Sequence, residues 1–144
     1  MIEKINNVVI QNEVTTILAG ASQISRDNQL KEVCTEALLS ALIENEAVAA
    51  KLLNTGFNIF MFKRLLSEKL KTKSIDSPPV NPPYSVALEG LLALYVIDCR
   101  GNASSLQLLK TIIRNNNTAA ARLLSLERIT LTENNHLIYT PILN

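Results

Sequence analysis

The chain has 144 residues, 47% of them hydrophobic, with 14 basic and 13 acidic side chains and a formal net charge of +1. That length suits one domain, or two half-domains sharing a core, and the near-neutral balance gives no field to draw a phosphate backbone or an anionic membrane, so no nucleic-acid or membrane partner is expected. With three Phe, three Tyr and no Trp, the interior must be built from Leu, Ile, Val and Ala, a composition of helices packed on helices.

Residues 1–11 carry Ile2, Ile5 and Val8/Val9 at helical spacing, as a short leading helix or the first turns of the next one. From Asn12, a helix N-cap, Val14, Ile17, Leu18, Ala21 and Ile24 form an amphipathic stripe that ends at the polar run Ser25-Arg26-Asp27-Asn28. A second helix is expected from Thr35 to Ile43 with Leu38, Leu39 and Leu42 inward, stopped by Glu44-Asn45. The third contains Val48-Ala49-Ala50-Lys51-Leu52-Leu53, whose alanines admit a close helix neighbour and whose leucines fill the core. Gly56 closes it as the residue that takes positive φ.

The fourth helix opens at Asn58 and runs to about Lys71, with Ile59, Phe62, Leu65, Leu66 and Leu70 as its buried stripe. Phe57, Phe60 and Met61 fall on another side, an excess of apolar surface with two readings. Either both faces are buried, as large apolar residues usually are, or these three residues form the wall of a groove that receives a partner's apolar segment.

Four of the five prolines, Pro78, Pro79, Pro82 and Pro83, fall in 74–83, which reads as an extended connector. Beyond it the pattern restarts. Ser85 opens a helix with Leu88, Leu91, Leu92 and Tyr95 inward. Asp98-Cys99-Arg100-Gly101-Asn102 breaks it, and Ser104 with Gln107 makes a capping-box pattern before Leu108, Leu109, Ile112 and Ile113. After Asn115-Asn116-Asn117, Ala119-Ala120-Ala121-Arg122-Leu123-Leu124 echoes Val48 to Leu53. The expected organisation is all-α, two tandem pseudo-symmetric repeats of about four helices each: 1–73, the linker 74–83, then 84–126. In the tail, 127–144, Ile129 to Thr132 and Leu137 to Thr140 alternate around Glu133-Asn134-Asn135-His136 as a short β-hairpin.

Thr35-Glu36-Ala37-Leu38-Leu39, then Val48-Ala49-Ala50-Lys51-Leu52-Leu53 and Gly56, resembles the "TEHLL … VAAKLL … G" signature of the N-terminal domain of Clp-type AAA+ chaperones. The resemblance covers most of 11–126 and is looser in the second half. It implies a non-catalytic docking module, monomeric in isolation; a cytoplasmic setting is expected separately, from two cysteines that read as free thiols and from a longest apolar run, Leu91 to Ile97, far too short to span a membrane. Such a module captures adaptor proteins or substrate segments for an ATPase ring, in proteolysis or in the disassembly of a secretion sheath. Some family members hold a cationic or phosphorylated arginine side chain with the Glu of "TEH". Glu36 keeps that residue, with a helix-start acid as its plainer role, whereas Gln107 stands at the second position and Ala37 replaces the His. The protein-binding candidates are therefore Phe57, Phe60, Met61 and Glu36.

Catalytic readings find little support. Gly20, Gly56, Gly90 and Gly101 make no nucleotide-binding loop. His136 is the only histidine, so neither a zinc cluster nor a His-paired nucleophile with a second histidine can be assembled, and no cofactor or metal is expected. Cys34 and Cys99 read as buried free thiols. Glu44 and Glu46 do not share a helix face. A rival from another class is a winged helix-turn-helix regulator, with Leu106 to Leu126 as the helix pair and the hairpin as its wing. Its recognition helix, Thr118 to Leu126, offers a single cation, Arg122.

Overall fold

The computed structural model describes residues 12–99 and 104–141, which hold seven helices and one two-stranded sheet. The expected leading helix lies outside the described residues, as does most of the breaker after Cys99. Helix α1, Asn12–Asp27, buries Val14, Ile17 and Ala21. It stops where Gln29 takes φ 57°, and the Gln29 and Leu30 amides donate to the carbonyls of Arg26 and Ser25, a Schellman closure in which Leu30 turns inward.

Helix α2, Thr35–Leu42, is the element around which the rest is arranged. It is apolar on nearly every side, and Thr35 to Leu39, Ala41 and Leu42 are all buried. A helix of that kind must be surrounded. It packs against α1 and, later in the chain, against α4 (Ile59–Lys71), α5 (Val86–Cys99), α6 (Ser105–Arg114) and α7 (Ala119–Leu126). Thr35 also accepts the Ala120 amide at 3.2 Å, satisfying one of the orphan donors at the start of α7. Between α2 and α4 lies α3, Glu46–Asn54, which packs on α4 and α6. Asn58, Ser85 and Ser104, expected to open helices, each accept an amide from the first turn of the helix that follows, and so do Asn45 and Thr118, whereas Asn12, expected as a cap, is itself the first residue of α1. The Ser104 box is only half closed, since the Gln107 amide group reaches forward to Thr111 instead.

The two echoing stretches are not structurally equivalent. Val48 is the third residue of α3, whereas Ala119 is the first of α7. Leu52 is buried but Leu53 is exposed, while Leu123 and Leu124 are both buried. The expectation that both leucines of each copy fill the core therefore fails for Leu53, because α3 is covered on one side only.

Among the described residues, four helices precede the Pro-rich segment, and three helices with a hairpin follow it. Strands β1, Ile129–Leu131, and β2, Leu137–Tyr139, pair antiparallel in the register Ile129 to Tyr139, with Asn135 at φ 67° in the turn. One hydrophobic cluster runs through both halves, from Val14 to Ile129. The Pro-rich segment is fastened to it at both ends: the Ile75 amide donates to Gln29, the Val33 amide donates to Pro83, and the Ser85 amide donates to Val33. Val33 and Tyr84 thereby form a parallel bridge.

Candidate protein-binding face

The four candidate residues separate into two exposed and two buried. Phe60 and Met61, the second and third residues of α4, are 68% and 59% exposed. They lie outside the stripe of Ile59, Phe62, Leu66 and Leu70 that faces α2. Lys63, two positions past Met61, sets its ammonium 5.8 Å from the centre of the Phe60 ring and pairs with Glu44 at 3.2 Å. Glu44 is also on the rim of a groove of about 640 Å³ between α1 and the α2–α3 corner, with Ile17, Gly20, Ile24 and Ala41 along it. The groove and Phe60 are thus joined through one ion pair. Gly20 matters there: a Cβ on it would stand 3.4 Å from the Ala41 methyl, so the small residue allows α1 and α2 to approach closely.

Phe57 does not belong to this face. It is 4% exposed and meets Phe62 and Tyr139 edge-on, at centroid distances of 5.4 and 5.3 Å. With Asn58 as the N-cap, Phe57 precedes the cap and Phe62 is the fourth helical residue, the positions of a hydrophobic staple. That local signal was available in the sequence. The Tyr139 contact was not, since it depends on where the hairpin folds back.

Glu36 is likewise removed from the surface. It is 6% exposed, and its carboxylate pairs with Lys73 at 3.0 Å, so the first-turn acid of α2 is neutralised by a lysine just past the end of α4. Partial burial pushes the Lys73 ammonium down, but the hydrogen bond and charge of Glu36 more than offset this and hold it above its ordinary value. Beside the pair, burial pushes the Cys34 thiol up. Nothing local marks Lys73 as a partner, because the pair closes only when α4 lies along α2.

Cys34 and Cys99 are both buried and free. Among the described residues, no group of three or more His, Cys, Asp or Glu side chains is placed to hold a metal ion, and no helix is long and apolar enough to cross a membrane. Ala120, Ala121, Leu123 and Leu124 of α7 are buried, so the helix that a winged regulator would insert into DNA is committed to the interior.

No family model matches the chain, and no curated protein matches it. Among solved structures it is similar to a chain from preliminary structural investigations of a malarial protein secretion system. The two are 15% identical with a TM-score of 0.69, over 80% of this chain and 82% of that one. A likeness of that kind shows a shared helical fold.

Proposed function

We propose that this chain is a non-catalytic protein-binding module of the Clp type, which captures adaptor or substrate segments for an AAA+ unfoldase through the face formed by Phe60 and Met61. The observation that carries the reading is the adjacent exposure of these two large apolar side chains at the head of α4, although that helix already has a complete buried stripe. The Glu44–Lys63 bridge extends the face to the α1–α2 groove, giving a partner segment an apolar surface rimmed by charge. The resemblance around Thr35 to Gly56 supports the same assignment. The shared fold with a chain from a secretion system is compatible with a role in secretion as well as in proteolysis.

The test uses the chain as bait in an extract of its own cells. Phe60→Asp should abolish capture of the specific partner while the melting temperature stays unchanged. Retained capture, or a variant that simply unfolds, would refute the site.

A further inference from the structure

Where α3 packs on α6 and on strand β2, a cavity of about 260 Å³ opens on the side chains of Lys51, Lys110 and His136, with Asn54 beside them and Leu106 and Leu137 along its wall. Its three basic side chains come from three separate elements: the last turn of α3, the middle of α6 and the hairpin turn. No carboxylate is among the described residues that line it, and neither lysine is in an ion pair among the described residues. Lys51 is not needed to complete its own helix end. The carbonyls of Leu52 and Leu53 already accept from the Thr55 and Gly56 amides, and the Thr55 hydroxyl adds a second bond to Leu52.

Like charges gathered without a counter-charge repel one another, and an anion relieves that repulsion. We infer that this cavity is a binding site for a phosphate group, held by Lys51 and Lys110 with His136 and Asn54 as further donors. A phosphate monoester carries about −1.5 to −2 charges at pH 7, which two ammonium groups match better than they match a single carboxylate. The volume falls just below the roughly 300–1,000 Å³ of a drug-sized pocket, which suits a headgroup and not a large cofactor. The inference is independent of Phe60 and Met61, none of whose residues line the cavity.

Two probes distinguish the sources of such a group: inorganic phosphate alone, and the peptide Gly-Gly-phosphoserine-Gly-Gly beside its unphosphorylated form. Amide shifts of the ¹⁵N-labelled protein at Lys51, Lys110 and His136 should saturate with the phosphorylated probes and stay flat with the plain peptide. Lys110→Glu should weaken the phosphate by about tenfold or more, the range for losing a charge-assisted contact. Lys71→Glu, outside the cavity, should leave it unchanged. Because Lys110 is half-buried, Lys51→Glu on the exposed helix face provides a second variant, with the same loss expected. Tighter binding of the phosphopeptide than of inorganic phosphate assigns a phosphorylated protein as the source, and equal binding assigns a free anion. Non-saturating shifts, or equal affinity in wild type, Lys51→Glu and Lys110→Glu, overturn the site.

Discussion

Phe57 and Phe60 stand three positions apart and have opposite surroundings, one stapled under Phe62 and Tyr139, the other turned to solvent. Their substitutions should separate accordingly. Phe57→Ala empties a buried aromatic site and should destabilise by about 3–5 kcal/mol in denaturant unfolding, whereas Phe60→Asp should stay within about 0.5 kcal/mol. An acid at the second residue of α4 even suits the positive end of the helix. The Glu36–Lys73 pair carries a second residue-scale prediction, which turns on unequal burial. The carboxylate is nearly enclosed and the ammonium is partly in water. Lys73→Met strands a buried charge and should cost about 1–3 kcal/mol. Glu36→Gln leaves a lysine that can turn to solvent, and should cost less in the same titration.

At the scale of elements, much of the architecture was legible. Helix starts were marked by Asn58, Ser85 and Ser104, and buried stripes by leucine and isoleucine at helical spacing, because capping and amphipathicity are local. The hairpin was legible for the same reason, from alternation around a turn. Three features were not. Lys73 on Glu36, Tyr139 on Phe57 and the fastening of the Pro-rich segment to Val33 all join residues far apart in sequence, and no local pattern encodes them. The echo of Val48 to Leu53 misled for a related reason: like letters occupy different turns of α3 and α7, and burial follows the surroundings. The Pro-rich segment yields a prediction at this scale. In hydrogen exchange the Val33, Ile75 and Ser85 amides, which bond to Pro83, Gln29 and Val33, should be protected well above those of Asp76, Ser77 and Val80, which are exposed. Uniformly fast exchange from 74 to 85 would mean a free linker.

For the whole molecule, one core spans both halves and α2 touches elements of each. Unfolding should therefore be a single cooperative transition, with far-ultraviolet circular dichroism and the tyrosine signal coincident. Its pH dependence follows from buried protons. Burial pushes up the Cys34 and Cys99 thiols and the Tyr95 phenol, and Lys73 is raised as well, with solvent screening limiting its share. In each case the folded chain holds its proton more tightly than the unfolded chain does. Stability is thus fully present below the ordinary thiol value of 9.0 and is lost as pH rises through the folded values. The melting temperature should be flat between about pH 7 and 8 and fall above about 9, less steeply in Cys34→Ala.

The reading of the molecule as a protein-binding module stands on the head of α4, and a photo-crosslinking side chain placed there tests it directly. Phe60 and Val86 are both well exposed, at 68% and 87%, and they begin different helices. In cells, a crosslinker at position 60 should yield discrete adducts with an adaptor, a substrate or an ATPase subunit. Those adducts should disappear when Met61→Asp is added, and position 86 should not give them. The same adducts at both positions, or none at position 60 that Met61→Asp removes, would contradict the account.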